Sequence, residues 1–328
     1  MIARLAAAAA LGLSVPGVRA QVTTWTSASS GLWATPGNWS SGVPTGTSTA
    51  TFNSSAGLQM AITLSPASAS GILSFSASGG ANAYTFDTAP TQNNNTLTIT
   101  SGITNSDTAA LTFYNTTAVA GTQTWTNNGG TMTFDGNVNL YSGPSSYTLT
   151  LNGSGATTIA GVISGGGLTP PAGLTYSGTG TLTLSGANTY AGTTTVSSSI
   201  VNIQNNTALG TGAASVASGA TLQLQGGLTN VANAITLNGT GAINSHGGAS
   251  YGALDSLSGN NTVTGAITLG SATQINSDAG TLTLSTGGIS GSGKNLTVGG
   301  AGNTVISDVI ATGAGTLTKA GAGTLTLS

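Results

Sequence analysis

Residues 178–196 read GTGTLTLSGANTYAGTTTV, and their alternation limits what the chain can fold into. In an extended strand successive side chains point to opposite faces, so Leu182 and Leu184 share one face and Thr181 and Thr183 the other. AGTLTLS recurs at 279–285 and at 322–328. Similar short runs fill the chain: TLTIT at 96–100, TMTFDG at 131–136, YTLTLNGSG at 147–155, ATLQLQGG at 220–227, NAITLNGTG at 233–241 and AITLGS at 266–271. Each reads as a strand of about five residues bounded by Gly, Asn and Ser turn chemistry. No helical periodicity competes with this pattern, and Gly and Thr are poor helix formers.

The spacing of the apolar pairs predicts how the strands are arranged. Leu182/Leu184, Val201/Ile203 and Leu222/Leu224 succeed one another at spacings of 19 and 21. A period near 20 with short strands and no helices predicts a solenoid in which each coil stacks on its neighbour. Stacked equivalent strands make a parallel sheet with right-handed crossovers. The expected fold is therefore all-β, a right-handed parallel β-helix of about 12 to 15 coils, on the order of 60 to 70 Å long. Asn188 is the candidate for a stacked amide ladder.

Composition bounds the function. Charged residues make up 3% of the 328, against roughly 25% in ordinary soluble proteins. Disorder would require low hydrophobicity and high net charge, yet 38% of the residues are hydrophobic and recur at short intervals. The first twenty residues form a separate segment: Arg4, the apolar run LAAAAALGLSV at 5–15, then Val18-Arg19-Ala20. This is the pattern of a secretory signal peptide cleaved near Ala20. The chain from Gln21 onward then has Lys294 and Lys319 against six Asp, a formal net charge of −4. No cation lies between Gln21 and Gly293, which argues against nucleic acid and anionic lipid as partners. There is no cysteine and hence no disulfide framework. Three of the four tryptophans, Trp25, Trp33 and Trp39, fall in residues 21–55. That stretch is expected to form an N-terminal cap over the open end of the solenoid, with 56–328 as the repeat region. The alternative for the Trp group is a sugar-stacking platform.

A longer repeat is also present. TIAGVISGGGL at 158–168 precedes GTGTLTLS, and TVISDVIATGAGTLTKAGAGTLTLS at 304–328 has the same order of elements. GTGTLTLSGANTY with AGTTTV, 178–196, resembles the autotransporter-associated β-strand repeat, whose pattern runs roughly GxGTLTLSGxNTYxGxTxV. NNTALGTGAASVASGATLQL, 205–224, is similar to the continuation of that repeat, and 322–328 to its start. The resemblance implies a β-helical passenger or stalk, secreted or exposed at the cell surface and exported by an outer-membrane translocator. The resemblance does not imply a ligand; self-stacking repeats are expected, with a host surface or a polysaccharide as the partner that an adhesive role would take. It implies no cofactor, no metal and no catalytic residue. The sequence ends at Ser328 inside a repeat whose other copy continues GANTY, and the expectation is a truncated product.

Reactive constellations are sparse. Ser245, His246 and Asp255 can be written as a Ser-His-Asp triad, but serine is so common here that the match carries little information. The aspartates 87, 107, 135, 255, 278 and 308 are never within four residues of each other, although folding could bring Asp107 and Asp135 onto neighbouring coils. A pair of that kind is what a β-helical polysaccharide-degrading enzyme would need. Gly129-Gly130 with Asp135 is a faint, unrepeated echo of a calcium nonapeptide. GISGSGKN, 288–295, satisfies GxxxxGK but ends in Asn295 rather than Ser or Thr, between β-like flanks. The pairs Thr181/Thr183, Thr281/Thr283 and Thr324/Thr326 raise a minor alternative, an ice-binding lattice. Their starting positions do not fall on consecutive coils.

Overall fold

The alternating segments form strands because every second side chain is apolar and can be buried while threonine between them tolerates solvent. In the computed structural model of the chain, the described residues are 20–53, 59–65, 68–76, 83–87, 95–165, 167–243 and 250–328. The segment expected to be a signal peptide lies almost wholly outside them. Over the described residues the chain is a parallel β-solenoid of about 11 turns, with one short 3-10 turn at Pro36–Asn38 and no α-helix.

The coils stack into three columns of strands, the middle coils contributing to two of them. The first column runs from Val22–Thr24 and Thr49–Phe52 through Gln123–Asn127, Leu149–Asn152, Leu174–Tyr176, Thr194–Val196, Ala214–Val216 and Ile235–Gly239 to Ile289–Ser290 and Ile310–Ala311. The second contains Ala83–Phe86, Leu111–Phe113, Met132–Phe134, Thr157–Ile159, Thr181–Leu184, Ser199–Ile203, Ala220–Gln225 and Leu254–Ser258. The third is regular at both ends, in Thr116–Val119, Val138–Asn139 and Ile163–Ser164 and again in Asn261–Val263, Thr281–Leu284, Asn303–Ile306 and Leu325–Leu327. Between these ends Asn188 bridges the coils. Its Oδ1 accepts from the Ile163 amide at 2.7 Å and its Nδ2 donates to the Ala208 carbonyl at 2.6 Å. Asn188 is therefore a backbone bridge and not a rung of an amide ladder, because its neighbours in the stack are Ile163 and Ala208.

The predicted spacings of 19 and 21 are realised: Leu182 pairs with Val201 and Val201 with Leu222. About 11 turns stand against the expected 12 to 15, and one insertion lengthens the coil after Leu222. Leu222 pairs next with Leu254, and Thr236 with Thr268, a spacing of 32 in each case.

Register stacking superimposes like side chains in the core. Phe86, Phe113 and Phe134 lie over one another with ring centroids 4.7 and 4.6 Å apart and planes 12° and 3° from parallel. Phe52 and Phe75 stack at 4.9 Å. Toward the C-terminal half the stack becomes aliphatic: Ile159, Leu184, Ile203 and Leu224 are all fully buried. Phe113 sits between two rings, so Phe113→Ala opens a cavity that rigid coils above and below cannot close. The expected cost is about 3 to 5 kcal/mol, read as a lowered midpoint in urea unfolding; an unchanged midpoint would contradict the stacked-core description.

Candidate functional site

The outward positions of the second column carry two kinds of side chain. Over five successive coils they are Thr85, Thr112, Thr133, Thr158 and Thr183, in register and partly exposed. Over the next four they are Asn202, Gln223, Asp255 and Asn276. These four are buried, and Asp255 has 0% exposure.

The long coil between Leu222 and Leu254 explains the burial. Its extra residues double back on themselves: the Tyr251 amide donates to the Ala242 carbonyl and the Gly252 amide to the Thr240 carbonyl, both at 2.9 Å. This excursion lies against the second column. Thr221 Oγ1 donates to the Gly252 carbonyl at 2.8 Å and accepts from the Ala242 amide at 2.9 Å, and Asn276 Nδ2 donates to the Ser250 carbonyl at 3.1 Å. Gly241 and Gly252 have φ of +87° and +94°, and a Cβ on Gly241 would stand 2.0 Å from the Gly252 oxygen. Only glycine permits that closure.

Beneath the excursion runs a hydrogen-bonded ladder. Asn202 Nδ2 donates to Gln223 Oε1 at 2.9 Å, and Gln223 Nε2 donates to Asp255 Oδ2 at 2.8 Å. Asp255 Oδ1 has no partner among the described residues. Burial pushes the Asp255 carboxyl up to about 7; the Gln223 hydrogen bond opposes this and the nearby Asp278 charge adds to it. Burial also raises Asp278. Asp278 borders an open groove of about 310 Å³ together with Ser250, Tyr251, Gln274, Asn276 and Gly300. Lys319 turns its Nζ to the Gly321 carbonyl, 3.0 Å away at the edge of the same groove. Chemically, the arrangement can hold and release one proton near neutral pH beside a second carboxylate.

The residues singled out from sequence fare differently. Asp107 and Asp135 are not brought together. Asp107 lies at the corner before Leu111–Phe113, where its carbonyl accepts from the Gly130 amide of the next coil. Asp135 follows Met132–Phe134, beyond the far end of that coil's strand. The carboxylates that do meet electrostatically are Asp255 and Asp278, on adjacent coils. Ser245 and His246 lie outside the described residues, so the triad has no described geometry. GISGSGKN contains the strand Ile289–Ser290 and then turns into the strand Leu296–Gly299, with no helix start to receive a phosphate. Trp25, Trp33 and Trp39 are 3%, 1% and 4% exposed. Their ring faces are spent on one another and on Phe52, and Trp39 Nε1 donates to the Trp33 carbonyl at 2.8 Å. A sugar-stacking platform needs open ring faces, which these do not offer. The TxT pairs divide between columns, Thr181/Thr183 in the second and Thr281/Thr283 with Thr324/Thr326 in the third.

Asp255 supplies a sign-specific test. Its folded-state carboxyl ionises only near pH 7, whereas the unfolded one ionises near its ordinary value of 3.8. Between those values the native state holds a proton that the unfolded state has lost, so stability falls as pH rises from about 4 toward 7 and stays low above it. Asp255→Asn keeps the acceptor for Gln223 and removes the ionisation. Melting curves from pH 4 to 9 should show the variant losing that slope and exceeding the parent at pH 8, by on the order of 2 to 4 kcal/mol. A parallel pH profile in parent and variant would remove Asp255 as the cause.

The family model of the passenger-associated-transport-repeat matches residues 174–198 and 317–328. No curated protein and no solved structure matches the chain. The first matched segment covers Leu174–Tyr176 in the first column, Thr181–Leu184 in the second and Thr194–Val196 back in the first, one whole coil. The second covers Leu317–Lys319 in the second column and Leu325–Leu327 in the third, so the same motif sits one face further round. Two segments of the chain thus match the passenger-associated-transport-repeat, consistent with the repeats of autotransporter passengers, and both are built as strands of a parallel β-solenoid.

Proposed function

We propose that the chain is the non-enzymatic passenger stalk of an autotransporter-like protein, secreted or held at the cell surface, with adhesion to a host surface or polysaccharide as its role. The observation that carries this reading is the passenger-associated-transport-repeat folded as solenoid coils. The physical chemistry supports it. Coils that contact only their neighbours can form one after another as an extended chain emerges from a translocator. No disulfide has to be broken or made on the way, since there is no cysteine. Residues 1–20 act in this reading as the export signal, cleaved before Gln21, and residues 21–55 as the cap of the repeat region 56–328. The tryptophans support the cap: Trp25 and Trp39 face one another across an antiparallel bridge, and among the described residues the strands beside them pair on one side only.

A second reading, a polysaccharide-degrading or carbohydrate-binding module, is favoured by one observation, the groove where Asp278 stands near Asp255. Asp278→Asn would abolish turnover of any polysaccharide that the chain cleaves. Activity that survives the substitution would remove this groove as the site.

Two outcomes test the stalk. Fused ahead of an outer-membrane translocator, the chain should become accessible to added protease on intact cells and begin at Gln21 by mass spectrometry. Retention inside the outer membrane would reject the reading. Trp33→Ala should lower the thermal midpoint, with a loss on the order of 3 to 5 kcal/mol, and leave binding to immobilised polysaccharide unchanged; lost binding at unchanged stability would reverse the assignment from cap to sugar site.

A further inference from the structure

The first column carries a ladder that no spacing in the sequence announces. Thr124, Thr150, Thr175, Thr195, Ser215, Thr236, Thr268 and Ser290 occupy the same outward position on eight consecutive coils, each the register partner of the next. All eight are partly or fully exposed. None of their hydroxyls has a protein hydrogen-bond partner among the described residues. In-register parallel strands set adjacent rungs about 4.8 Å apart, so the ladder extends for on the order of 34 Å.

The surroundings keep this face flat and neutral. The row before the ladder, matched coil to coil by backbone hydrogen bonds, reads Thr148, Gly173, Thr193, Ala213, Ala234 and Ala266. The row after it includes Asn152, Ser177, Ser197 and Ala217. Neither the ladder nor these rows holds a charged or aromatic side chain. The threonine ladder of the second column differs, since Tyr114 and Asp135 follow its rungs Thr112 and Thr133.

We propose that this first-column face binds ice. A hydroxyl and a methyl repeated at one spacing, on β-branched side chains that are stiff at χ1, hold water in a periodic array at little entropic cost. Ice repeats its oxygen positions at a nearly equal spacing along its basal axes, so bound water continues the crystal. A neutral face matches a neutral lattice, because a charged group would organise water around itself instead. The TxT motif does not build the lattice. Register does, by bringing hydroxyls as distant in sequence as those of Thr236 and Thr268 onto successive coils.

The test is partition into a slowly growing ice hemisphere, with inhibition of ice recrystallisation as a second readout, using the purified full chain. The chain should enter the ice. Thr195→Tyr with Thr236→Tyr, which breaks the flat face at two rungs, should lower the ice-bound fraction about tenfold. Thr133→Tyr on the second column should leave that fraction unchanged, and circular dichroism should report the same β spectrum and melting point for all three proteins. Exclusion of the parent chain from ice overturns the proposal, as does equal loss in the second-column variant. Retention on insoluble neutral polysaccharide without entry into ice would assign the face to a glycan instead and would also overturn it.

Discussion

In-register parallel pairing between successive coils is the constraint on which the rest of the molecule depends. Each strand satisfies its backbone donors and acceptors with the coil before and the coil after, so equivalent positions must superimpose along the axis. That single rule makes a core of stacked phenylalanines in one half and stacked aliphatics in the other. It also multiplies any choice made at an outward position. A threonine there becomes a ladder of hydroxyls, and an amide becomes a chain of side-chain hydrogen bonds.

The polar ladder at Asn202, Gln223 and Asp255 shows how the rule and its exceptions combine. Register alone would leave these side chains in solvent. The long coil after Leu222 folds over them and converts an exposed row into a buried one. Burial then changes the chemistry of Asp255, which holds its proton to about pH 7. A solenoid can therefore acquire a titrating site without any change in its repeating frame, by lengthening one coil.

Much of the architecture was legible in the sequence. Alternation placed Leu182 and Leu184 inside, and the spacings of 19 and 21 are the pairings Leu182 to Val201 to Leu222. The candidate site was not legible. Asp255 and Asp278 belong to different strands, and their proximity comes from the register of one coil on the next. Asn188 has the right residue type for an amide ladder, but its stacking neighbours are Ile163 and Ala208. The amide contacts arise instead at Asn105 to Asn127 and Asn202 to Gln223, where register brings amides of successive coils together.

The sequence by itself determined the strand, the inward and outward faces, the glycine corners and the scarcity of charge, because these depend on residue type and on neighbours within a few positions. The tertiary structure decided which face each strand occupies. The TLTL motif lies in the second column at 181–184 and in the third at 281–284 and 324–327. Coil lengths accumulate along the chain, and each insertion shifts the register of every later coil. Which threonines form a ladder, and which aspartate is covered, depend on that running sum and on no motif.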